Sequence, residues 1–156
     1  MPALASDEGV ARDTSRARLL LPFLAPFYAR VIPLSWPLIR CTVGLILAVH
    51  GWPKVLRVID LIGGTPPTRG SVTQLVVLAF FEFAGGVGIA LGLFTRFFAP
   101  AAAIEMAVLT FYWYWPVFGW RQDGYEYTLM WGLVLFAVAL RGGGPYSLDR
   151  LMRREL

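Results

Sequence analysis

The chain is poor in the residues that carry most enzyme chemistry. It has one cysteine, Cys41, and one histidine, His50. A lone thiol cannot form an internal disulfide, which excludes a thiol relay contained in this chain. A lone histidine excludes bis-histidine haem ligation within a subunit. It leaves only His50 with Met106 or Met130 as an axial pair. The sequence has no CxxC and no multi-histidine zinc pattern, so neither metal nor haem is expected. Charge is scarce as well. Asp, Glu, Lys and Arg make up 15% of the residues, against roughly 25% in soluble domains. The net charge is +4, but the basic residues form no stripe on a soluble fold, and nucleic-acid binding is excluded as a class. Residues 1–18 are polar and carry both signs. They lack the apolar run of a secretory signal and read as a cytoplasmic tail.

Apolar residues are what the chain has in abundance. They form 57% of it, and the mean hydropathy is +0.61. A chain of 156 residues cannot hide that much apolar surface from water, so one integral membrane domain is expected. Residues 19–29 are apolar but short, are interrupted by Pro22 and Pro26, and suit the membrane interface. Four longer apolar stretches follow, at about 34–58, 73–94, 97–118 and 125–141. Gly63, Gly64, Pro66, Pro67 and Gly70 mark the first connector as a loop. Thr95-Arg96 makes the second turn tight, and Arg121-Gln122-Asp123-Gly124 forms the third. Gly142-Gly143-Gly144-Pro145 ends the last helix. Ser147 then reads as the N-cap of a short amphipathic helix, Leu148 to Leu156.

The expected fold is therefore all-α, an integral membrane bundle of four transmembrane helices. Residues 1–33 form a tail and interfacial segment, 34–141 the bundle, and 142–156 a tail helix. Four spans place both termini on one side. That side collects Arg12, Arg16, Arg18, Arg30, Arg96, Arg141, Arg150, Arg153 and Arg154, and the other only Lys54, Arg57, Arg69 and Arg121. The positive-inside rule makes the richer side cytoplasmic. The aromatic run from Phe111 to Trp120, with Tyr125 and Tyr127, then forms a belt at the outer interface.

Ionisable residues inside the spans carry the functional signal. A central charge costs roughly 2.5–3.5 kcal/mol to insert, and each Leu, Ile, Phe or Val returns roughly 0.3–0.6 kcal/mol. The second span tolerates Glu82 on that scale. The first carries both Arg40 and Lys54 and needs partners in other helices. At 100° per residue Arg40, Gly44, Leu47, His50, Gly51 and Lys54 share one face. Gly85 and Gly86 lie beside Glu82 and are expected to open a cavity beneath it. Ala84, Gly88 and Gly92 form a separate small-residue stripe for close helix approach. Depth suggests Arg40–Glu105, Glu82 with His50 or Lys54, and Lys54–Glu126 as contacts. With His50 neutral, two cations face three carboxylates, so either a carboxylate holds a proton or His50 is charged. The plain structural reading is that these charges only fix helix register. For the aromatics the interfacial belt is the default, leaving Trp52, Tyr112 and Trp115 as pocket walls.

With these residues in place, the chain resembles the DoxX family of small bacterial membrane proteins. The carriers are Arg40 with His50-Gly51-Trp52-Pro53-Lys54, then Phe81-Glu82-Phe83-Ala84-Gly85-Gly86, then Leu91-Gly92-Leu93-Phe94-Thr95-Arg96. Gly124-Tyr125-Glu126-Tyr127 and Pro145-Tyr146-Ser147-Leu148-Asp149-Arg150 complete the likeness, which spans about residues 34–152. The resemblance implies a four-helix bundle in the bacterial cytoplasmic membrane. Its relatives are associated with thiosulfate:quinone oxidoreductase and with membrane-linked oxidative-stress complexes. The leading expectation is a redox-associated subunit that binds a quinone or similar apolar ligand. In it Glu82, Glu105 and His50 would exchange protons. Arg40, Lys54, Trp52, Gly85, Gly86, Tyr112 and Glu126 would line the ligand site. The alternative is a non-enzymatic membrane module: a solute or proton pathway, or an assembly factor. Expected partners are the lipid bilayer and either a membrane complex or further copies of the chain.

Overall fold

The computed structural model describes residues 21–64, 71–119 and 124–152. The polar tail, the Pro66-Pro67-Gly70 part of the first connector, the turn at 120–123 and the last four residues lie outside them. Every regular element among the described residues is a helix, with no strand among them. After a 3₁₀ turn at Pro22–Leu24, α1 runs over Ala25–Ile62, α2 over Val72–Leu91 and α3 over Thr95–Tyr114. Helix α4 covers Glu126–Arg141, and α5 is a single turn, Leu148–Leu151.

Three of these helices, α1 to α3, are long and apolar enough to cross a membrane. The expectation of an all-helical apolar bundle holds. Helix α4 has 16 residues, or about 24 Å, less than the roughly 30 Å of a hydrocarbon core. Helix α1 differs from its expected bounds. Its 38 residues run through Pro33, Pro37 and Pro53 without a break, so the expected interfacial segment, 19–29, continues from Ala25 as the start of the same helix. Its length of about 57 Å exceeds the hydrocarbon thickness.

Each helix packs mainly on its neighbour in sequence, α1 on α2 and α3 on α4, while α1 and α4 touch little. The α1–α2 crossing depends on glycine. A Cβ at Gly44 would lie 2.5 Å from the Gly86 carbonyl oxygen, and one at Gly86 would lie 2.5 Å from the Ala48 nitrogen. The two backbones therefore meet without side chains between them, as small residues allow in membranes. A compact core of Trp36, Val43, Leu47, Ile89, Ala99, Ala102, Leu135 and Val138 ties the four helices together.

Helices α2 and α3 reverse at Gly92-Leu93-Phe94. The Leu93 N–H donates to the Gly88 carbonyl at 2.8 Å and the Gly92 N–H to that of Ile89 at 3.1 Å. This is a Schellman ending, and Gly92 takes the positive φ of +70° that it requires. The C-terminal segment then closes over the turn. Asp149, buried, accepts from the Phe94 N–H at 2.7 Å and the Thr95 N–H at 3.0 Å. The start of α3 is thus capped by a residue more than fifty positions away in sequence. Ser147 caps α5 as expected, accepting from the Arg150 N–H at 3.2 Å.

Candidate functional site

Two turns of wider, π-helical winding occur in the bundle, at Phe80–Ala84 in α2 and Leu109–Tyr114 in α3. Such bulges are frequent at functional sites. The first carries Glu82, and the second borders the same region. Glu82 is buried, and its Oε2 accepts from the Lys54 ammonium across the α1–α2 contact. Glu105 from α3 lies within hydrogen-bonding reach of the Glu82 carboxyl, and Lys54 is close enough to act on it. Three helices thus contribute one ionisable group each. Two carboxyls and one ammonium form a neutral cluster only when the carboxyls hold one proton.

The cluster borders a cleft of about 300 Å³ between α1 and α4, where those helices part. His50, Lys54 and Glu82 line one side, and Tyr114, Tyr127 and Trp131 another, with apolar residues such as Leu47 and Met106 between them. His50 Nδ1 lies 3.0 Å from the carbonyl oxygen of Ile46. A carbonyl only accepts, so Nδ1 carries the hydrogen. The Trp131 indole N–H and Glu105 Oε2 are buried, and neither has a hydrogen-bond partner among the described residues. In a membrane interior such groups are costly to leave unmatched, which makes them candidate contacts for a bound polar group or water.

The structure separates the residues expected at one site. Of the expected contacts, Glu82–Lys54 forms. Arg40 does not reach Glu105. It is buried at the opposite end of α1's polar face, donating to the Ile89 carbonyl at 3.3 Å and the Tyr146 carbonyl at 3.0 Å. Asp149 lies close enough to attract it. Arg40 therefore fastens the C-terminal segment and does not line the cleft. Glu126 is exposed on the first turn of α4 and makes no ion pair with Lys54 among the described residues.

The glycines also differ from expectation. Gly86 sits in the helix crossing, and a Cβ at Gly85 would lie 3.0 Å from the Phe98 ring. Neither opens a cavity beneath Glu82. Trp52 is half exposed and packs at a tilt against Phe83, 5.4 Å between centroids. Tyr112 is exposed and packs against Trp113, and Trp115 against Tyr125. None of the three lines the cleft. Tyr114, Tyr127 and Trp131 do so instead. For α4 the signal was available: Tyr127, Trp131 and Leu135 recur at intervals of four, which puts them on one helix face.

Apolar helices long enough to cross a membrane, with an ion pair at the wall of a cleft between them, define a helical membrane protein with a polar site among its apolar helices. A DoxX family model matches residues 35–115, and the chain belongs to the DoxX family. That match covers α2, α3 and all but the first ten residues of α1, including Lys54, Glu82 and Glu105, and stops short of α4. Comparison with curated proteins and with solved structures finds no match.

Proposed function

We propose that the chain is a four-span protein of the bacterial cytoplasmic membrane, with both termini cytoplasmic, and a redox-associated subunit that binds the head of a quinone-class molecule in its α1–α4 cleft. The observation that carries this reading is the Lys54–Glu82–Glu105 cluster at the wall of an otherwise mostly apolar cleft. At about 300 Å³ the cleft lies at the lower end of small-molecule pockets. That volume suits a single ring, with an apolar tail left among lipid chains.

The residues present fit such a head. A quinone ring offers carbonyl acceptors, and the cleft offers the Lys54 ammonium and the unmatched Trp131 indole N–H as donors. When bound, a quinone supplies two-electron, two-proton chemistry that the side chains lack. Lys54 orients the head and balances negative charge beside it. Glu82 faces the cleft with Glu105 beside it, so a proton taken up or released there would accompany reduction or oxidation of the head.

The test is the small molecule that accompanies the protein. Mass spectrometry of detergent-purified protein should find a retained quinone, and a short-tailed benzoquinone should raise the unfolding temperature. Glu82→Gln should weaken that shift. If no quinone is retained and none shifts the melting curve, the quinone reading fails. Loss of proton flux in proteoliposomes on Glu82→Gln would then favour a proton pathway, and co-purification with a partner unaffected by that change would favour an assembly factor.

A further inference from the structure

The hydrogen-bonding groups of the cleft distinguish the two redox forms of such a head. Lys54 has N–H bonds beyond the one given to Glu82, and the Trp131 indole N–H is unmatched among the described residues. These donors serve a carbonyl or a hydroxyl oxygen alike. His50 differs from them. Its Nδ1 hydrogen is committed to the Ile46 carbonyl, so the neutral ring presents Nε2 as a bare lone pair. His50 stands one turn from Lys54 on the same face of α1, and both line the cleft. A lone pair there gives nothing to a ring that carries only carbonyl acceptors. It accepts from a ring that carries hydroxyls.

We infer that the cleft selects the reduced, hydroxyl-bearing form of its ligand, with His50 Nε2 accepting from one ring hydroxyl while Lys54 and Trp131 donate to oxygen. This rests on the quinone-class reading. The gain corresponds to one net hydrogen bond, which is about a tenfold preference for the reduced form. Tighter binding of the reduced form raises the potential of the bound couple, by about 30 mV for a tenfold ratio in a two-electron couple.

The experiment measures the affinity of full-length purified protein for a decyl-substituted benzoquinone and, under anaerobic conditions, for its hydroquinone. Wild-type protein should bind the hydroquinone about tenfold more tightly. His50→Leu should cut that ratio several-fold, with Glu82 left as the remaining acceptor, and His50→Gln, which keeps a side-chain acceptor, should retain most of it. A role in folding alone would lower both affinities and leave their ratio in place, which overturns the inference. Equal affinities in wild-type protein also overturn it and leave the quinone-class reading standing. Binding of neither form removes that reading, and this inference with it.

Discussion

Removing one half of the Lys54–Glu82 pair perturbs the protein differently from removing both halves. Glu82→Gln leaves an ammonium facing an uncharged amide at the edge of an apolar cleft. Breaking an enclosed pair in this way costs about 3–5 kcal/mol. Lys54 keeps 29% of its side-chain surface exposed, so water and snorkelling recover part of it, and a loss of about 1–3 kcal/mol is expected in detergent unfolding. Lys54→Met with Glu82→Leu removes both charges and keeps the volume. That double variant should unfold within about 1 kcal/mol of wild type. If the pair serves ligand binding, the stable double variant should still lose the quinone-dependent thermal shift. Full retention of the shift would reduce these two residues to a device for helix register.

Two contacts decide whether the helices hold their positions. Gly44→Ala would push a methyl group to 2.5 Å from the Gly86 carbonyl oxygen and 2.8 Å from Ala90 Cα. Because these are backbone atoms, the helices must separate. A cost of about 1–3 kcal/mol is expected, with Gly86→Ala similar, measured by thermal unfolding. Asp149→Ala strips the acceptor from two N–H groups at the start of α3, an effect of about 0.5–2 kcal/mol. Asp149→Asn, which keeps one side-chain oxygen, should cost less. The sequence made the Glu82–Lys54 pair legible because depth can be counted along both helices, and Glu82 comes early in the wider turn, before its angular drift accumulates. The same counting misplaced Gly85 and Gly86. The π-helical winding at Phe80–Ala84 advances each residue by less than 100° and turns the glycines behind it onto new faces. The partners of Arg40 could not be counted at all. They are backbone carbonyls, one of them 106 positions away, and no side-chain type announces a carbonyl. The closeness of Glu105 to Glu82 is not legible for a different reason: pairing by opposite charge gives no ground for setting two carboxyls side by side.

At the scale of the whole molecule, helix α4 decides the topology. Helix α4 is too short to be recognised by length, and the family match ends before it. Its packing on α3 nevertheless argues that it crosses. The two helices are tied at one end by the Thr110 hydroxyl, which donates to Thr128 at 2.8 Å. At the other end, a Cβ on Gly142 would lie 2.8 Å from Arg96 Nε. Helix α4 therefore runs beside α3 from near its last turn to its first, and if α3 spans the bilayer α4 spans it too. The shortfall of about 6 Å against a 30 Å core is met by the flanking residues and by modest local thinning. On the proposed four-span topology the C-terminus returns to the side of the N-terminus. A reporter that is active only in the cytoplasm, fused after residue 156, should therefore be active, and the same reporter inserted at 65–70 should be silent. A silent C-terminal fusion would mean that α4 does not cross. It would also detach Asp149 from the α3 start that it caps, so the Asp149→Ala variant would then melt with wild type.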